Sequence, residues 1–130
     1  MRTPRAGSRW SSGRITRRAQ YAAYLDSVAW REKRREWYHR WTSTQSCAPA
    51  CTVCGCRWSL RSGHLHHLTY MRLGAEDPED LVALCPQHHV RLHEVWDGCA
   101  GWRRLGRTAA TYGLIAMLRR QLHAAAECAS

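Results

Sequence analysis

Two ligand pairs at matched spacing constrain this chain more than any other feature. Cys51 and Cys54 bracket the turn CTVC, and Cys85 and His88 bracket CPQH further along. A C-x-x-C turn sets two thiolates toward one point. The second pair supplies a thiolate and an imidazole at the same spacing. Three sulfurs and one nitrogen make a closed tetrahedral zinc site, with Cys56 as a possible substitute ligand. Such a site pins the start of a hairpin to the start of the helix that follows the second pair.

The chain has 130 residues, which suits one domain with a modest core that a bound metal would help considerably. It has no Phe, so seven Trp and five Tyr must supply the bulky apolar surface. The cysteine count, seven, is odd, and no apolar signal segment follows Met1. No run approaches the ~18–20 apolar residues of a membrane span. These features predict a cytoplasmic, reducing setting, with no membrane partner, in which cysteines bind metal.

The net charge of +10 is unevenly spread. Residues 1–46 hold eleven Arg/Lys against three Asp/Glu, residues 47–97 four against six, and residues 98–130 five against one. Basic flanks around a mildly acidic, ligand-rich centre suit a polyanion and a cation site. Residues 1–20 carry several Arg and Ser and no acid, which fits a DNA-touching arm and an organelle transit peptide equally well.

Composition and periodicity divide the chain into a flexible basic arm (1–14), a basic helical region (15–46), a metal-binding core (47–97) and a C-terminal loop and helix (98–130). Helices are expected from about 15 to 25 and from Val28, capped by Ser27, to Trp41. In the second, Trp30, Trp37 and Trp41 share one packing face. Residues 42–50 read as a linker containing a free thiol, Cys47. Residues 57–60 and 64–69 are expected to pair as a hairpin turned by Arg61-Ser62-Gly63. After a polar loop, Asp77-Pro78 starts a short helical turn that runs through Leu84. Further helices are expected over 86–96, ended by Asp97-Gly98, and from a Thr108 cap to about 126, weakened by Gly113.

The histidines add a second constellation. Adjacent strand residues point to opposite faces, so His66 and His67 have different surroundings. His89 and His93 stand four apart on one helix face. With His66 they could grip one divalent ion and leave coordination positions open, as a catalytic metal requires. Two metal sites would then share one helix start, His88 turned to zinc and His89 to the second ion.

The segments CTVC (51–54), HHLTYMRLG (66–74), EDLVALC (79–85) and HHVRLH (88–93), with YLDSVAW (24–30) upstream, resemble the small phage and bacterial proteins of the HNH endonuclease family. The resemblance implies an α+β fold: a small ββα-metal, treble-clef-like core with a zinc knuckle, flanked by N-terminal and C-terminal helices. It implies a DNA-hydrolysing enzyme that nicks or cuts both strands and leaves 5′-phosphate and 3′-hydroxyl ends. Residue by residue, His66, His89 and His93 match the ligands of a catalytic Mg, Mn, Ni or Zn ion, and His67 the general base. Asp80 falls where the family carries the Asn that braces the base-bearing loop, and His88 where most relatives place a zinc-binding Cys. Arg72, Arg91, Arg57 and Arg61 are the expected nucleic-acid contacts near the site. Some phage relatives act beside DNA-packaging machinery, which would add protein partners. Two other readings remain: a zinc-stabilised DNA-binding module without chemistry, favoured by Asp80, and a zinc-framed protein adaptor.

Overall fold

The computed structural model describes residues 16–129. The expected arm, 1–14, lies outside them. Helix α1 (Arg17–Leu25) begins where the Thr16 hydroxyl accepts from the Ala19 amide, and α2 (Val28–Thr44) where the Ser27 hydroxyl accepts from the Trp30 amide at 3.1 Å. Strands β1 (His64–His67) and β2 (Leu81–Leu84) form an antiparallel ribbon. Three helices follow: α3 (Pro86–Asp97), α4 (Ala100–Arg104) and α5 (Arg107–Cys128). The fold is therefore mixed, mainly helical with one small sheet. Among the described residues no helix is long and apolar enough to cross a membrane.

The ribbon's register places Leu65 opposite Ala83 and His67 opposite Leu81, all on one face. That face packs on Trp30 and Trp37 of α2 and on Trp58. Val82 and Leu84 point the other way, into a core made with Cys51, Val53, Leu92, Leu114, Ile115 and Leu118. Burying each such leucine contributes about 1.5–3 kcal/mol relative to leaving it in water. On α5, Thr111, Leu114, Ile115 and Leu118 form one buried stripe at helical spacing, whereas Leu122 is exposed.

Several expectations need correction. The partner of β1 is 81–84, not 57–60, which makes only the isolated bridge Ala50–Arg57. Residues 78–80 form a single 3-10 turn, and Leu81–Leu84 continues as strand rather than helix. A four-residue apolar run carries no periodicity to separate the two. Apolar surface on both sides of the ribbon settles it, because only a strand feeds both cores at once. Helix α2 extends to Thr44, into the expected linker, and the expected loop 98–107 contains α4. Gly106, at φ +79°, occupies the N-cap of α5, while the Thr108 hydroxyl donates to the Leu68 carbonyl at 2.9 Å. Gly113 is no simple weak point: a Cβ there would lie 2.6 Å from the Trp102 ring, which packs against the bare backbone.

Gly63 meets the same constraint beside the site. The Trp58 indole donates to the His64 carbonyl at 2.9 Å, and a Cβ on Gly63 would lie 2.2 Å from that indole nitrogen. Gly63→Ala should therefore destabilise the protein by about 1–3 kcal/mol, as overpacking does. A denaturant midpoint equal to wild type would refute this.

Candidate metal centres

Cys51, Cys54, Cys85 and His88 offer ligand atoms that all lie within 4.8 Å of one another. The first turn is tight: the Gly55 amide donates to the Cys51 carbonyl at 2.8 Å, and Gly55 takes φ +75°. The second opens α3, with Cys85 as N-cap and Pro86 in the first turn. Cys85 Sγ stands 3.2 Å from His88 Nδ1, Cys51 Sγ 3.9 Å from the same nitrogen, and Cys54 Sγ 4.0 Å from Cys85 Sγ. Thiolates about 2.3 Å from a tetrahedral zinc stand roughly 3.8 Å apart, so this quartet fits a structural metal such as zinc. Burial opposes ionisation of Cys54, yet hydrogen bonds from the Cys56 backbone and nearby side chains bring its thiol down to about 6. Thr52 ties the turn to the ribbon, its amide donating to the Ala83 carbonyl at 2.9 Å, and Arg119 of α5 donates to the Thr52 carbonyl at 2.6 Å. Cys56 is exposed and outside the quartet, as is Cys47.

A second group, His66, His89 and His93, also brings one ligand atom per residue within 4.8 Å. His66 is 1 % exposed. Its Nε2 lies 3.0 Å from the Thr111 hydroxyl, which itself donates to the Arg107 carbonyl at 2.8 Å. The hydroxyl's proton is thus committed, and it must accept from His66 Nε2–H. That fixes the tautomer and leaves Nδ1 as a bare lone pair, buried and without a protein partner. His89 Nε2 and His93 Nε2 are 3.2 Å apart. Two nitrogens each about 2.0–2.1 Å from a tetrahedral ion would be roughly 3.3 Å apart. Burial, helped by mutual repulsion and the Arg107 charge, pushes His66 down to about 2 and His89 to about 4. The rings are therefore neutral at pH 7, the form that binds metal. His64 stacks on His89 with centroids 4.4 Å apart.

His67 lies on the ribbon's opposite face and is 0 % exposed. Its Nε2 is 3.0 Å from Glu76 Oε2, its Nδ1 is 3.2 Å from the Tyr21 hydroxyl, and the Trp30 ring lies 4.8 Å away. Glu76 is buried and accepts from the Tyr24 hydroxyl at 2.8 Å and from the Gly74 amide. Burial holds His67 below the usual imidazole range despite the adjacent carboxylate, so the contact is a hydrogen bond to a neutral ring. Both ring nitrogens are taken.

The remaining predicted residues divide by location. Buried Asp80 accepts from Arg72 Nε at 2.8 Å and from the Asp77 amide at 3.0 Å, and its carbonyl accepts from the Leu68 amide. It braces both ends of the 68–77 loop, and the Arg72 guanidinium keeps it ionised below the usual carboxylate range. Arg72 is thereby committed to Asp80 and Asp77. Arg91 pairs with Glu94 and lines a groove with His88 and Leu118, on the quartet's side. Arg57 is exposed. Arg61 alone of the four shares a cavity with a member of the histidine trio, about 320 Å³ in volume and lined also by Arg31, Arg34, His64 and His89. Sequence reasoning missed Glu76, Tyr21, Thr111 and Arg107. Alternation along β1 could have found His64, but nothing local marks Thr111 or Arg107, which arrive from a helix about forty residues away.

Two outcomes follow. Cys51→Ser or Cys85→Ser should abolish the cooperative thermal transition, because the binding free energy of a metal at such a quartet would be folding free energy; a normal melting curve for either would contradict this. Thr111→Val keeps the shape of the buried side chain but removes the oxygen that orients His66. It should weaken divalent-ion binding at the histidine trio by about 10–100-fold in a cobalt titration, with zinc still at one per chain. Unchanged cobalt affinity would remove Thr111 from the site.

The chain has no match among protein-family models, curated proteins or solved structures. What these clusters do has to be read from their own atoms.

Proposed function

We propose that this chain is a metal-dependent endonuclease of the HNH type, hydrolysing phosphodiester bonds in DNA. The observation that carries this reading is the grouping of His66, whose buried Nδ1 has no partner, with two further imidazoles beside a Cys₃His quartet. The order strand, strand, helix, with one histidine from β1 and two from α3, supports this reading, since a ββα-metal core would have that order. A divalent ion held by three protein nitrogens, with positions left for solvent and substrate, would polarise a phosphoryl oxygen and stabilise the leaving oxygen.

The protein's own groups supply the rest. Glu76 accepts from His67 Nε2–H, so Nδ1 is the nitrogen that takes a proton from the attacking water. The Tyr21 hydroxyl occupies that position, and the water must replace it. Helix α1 has no buried residue, which makes it the element displaced at least cost. Asp80 serves as the loop brace, its charge answered by Arg72 and kept off the phosphate. Arg61 and Arg31 beside the trio neutralise neighbouring phosphates.

The enclosure of His67 favours a second reading, a zinc-stabilised DNA-binding module without chemistry. Supercoiled plasmid separates the two. On the first reading, purified protein with Mg, Mn or Ni converts it to nicked or linear product. His67→Ala should slow this by about 10²–10⁴-fold. His89→Ala should abolish it while leaving one zinc per chain. Shifted but uncut plasmid under all three metals establishes the second reading.

A further inference from the structure

Arg107, the first residue of α5, joins the two histidine environments. Its Nε donates to the His67 carbonyl at 2.7 Å, at the end of β1 where the two faces of the ribbon meet. The guanidinium carbon lies 4.1 Å from the Tyr70 ring centroid, on the His67 side, and 5.1 Å from that of Trp96, which also stands against His66 and His93. Its charge lowers the proton affinity of His66, His67, His89 and His93 alike. Among the described residues no carboxylate pairs with it, whereas Arg72, Arg91 and Lys33 each have one. Its terminal nitrogens donate to no protein acceptor there, yet they are not buried. A guanidinium oriented by a carbonyl and two rings, with its terminal nitrogens open to solvent, presents a fixed fork to an anion.

We propose that Arg107 is the phosphate anchor of this site, its two free terminal nitrogens gripping non-bridging oxygens of a phosphodiester at the end of β1, where the two histidine environments meet. The fork matches a phosphate in two parallel hydrogen bonds. The carbonyl bond and the flanking rings fix it before substrate arrives. No segment of the HNH resemblance includes this residue, although the proposal rests on the nuclease reading for its chemistry.

The test uses the full-length zinc-loaded protein and a fluorescent DNA duplex, first without added divalent ion. Arg107→Gln retains a donor for the His67 carbonyl and removes the charge. It should weaken binding and reduce the slope of log K against log salt by about one. Arg107→Lys should restore the slope but, lacking the fork, only part of the cleavage, which in Arg107→Gln should fall about 10²–10³-fold with manganese. Affinity and slope equal to wild type, with a lowered melting temperature, would mean that Arg107 only fastens α5 to β1, and would overturn the proposal. Should Arg107→Gln not fold, phenylglyoxal labelling of wild-type Arg107, read by mass spectrometry, decides. Protection by the duplex supports the anchor, and equal labelling with and without DNA sinks it. A wild-type protein that cuts no DNA defeats the nuclease reading alone, since the binding and labelling arms still judge Arg107.

Discussion

Four residues on each strand, His64–His67 against Leu81–Leu84, make a ribbon too small to stand alone in water. It persists because both faces are covered. The tryptophans of α2 close one side, and α3 with α5 closes the other. Each strand consequently carries side chains into two interiors, and adjacent residues have unrelated neighbours. His66 and His67, one peptide bond apart, show what this does to identical side chains. A hydroxyl fixes the tautomer of the first and leaves its other nitrogen bare, while a carboxylate and a phenol occupy both nitrogens of the second.

The cysteine turn and the start of α3 are held where a single ion would cross-link them. Val53, Leu84 and Leu92 pack beside the quartet in a core completed by Leu114, Ile115 and Leu118 of α5, and an ion would add to the cohesion of so small a domain. An ion there would have a second effect. By fixing the first turn of α3 it would fix the direction in which His89 and His93 project, since each lies on the helix that His88 joins. The quartet and the histidine trio therefore share one helix start.

Charge follows the same geometry. The carboxylates of the acidic loop have partners, Asp80 in Arg72 and Glu76 in Tyr24, His67 and the Gly74 amide. The cationic groups near the trio, Arg31, Arg34, Arg61 and Arg107, have no acidic counterpart among the described residues. Three of them are tethered by backbone carbonyls instead, Arg31 by that of Asp26, Arg34 by those of Leu60 and Gly63, and Arg107 by that of His67. A carbonyl orients a guanidinium without neutralising it, which leaves a positive field on this side of the molecule.

Spacing alone determined both ligand groups. Cysteines two apart in a turn and histidines four apart on a helix share a direction whatever surrounds them, so Cys51/Cys54, Cys85/His88 and His89/His93 were legible before any fold was known. The caps at Ser27 and Gly98 were equally local. Tertiary structure decided what depends on distant partners. Leu81–Leu84 became a strand because two cores claimed it. Glu76, one acid among several at the far end of the loop that follows β1, was selected by the way that loop folds back on His67, and Thr111 and Arg107 entered the site only when α5 packed against the ribbon. Those contacts join residues about ten to forty-five positions apart, and no short window of sequence contains both sides of them.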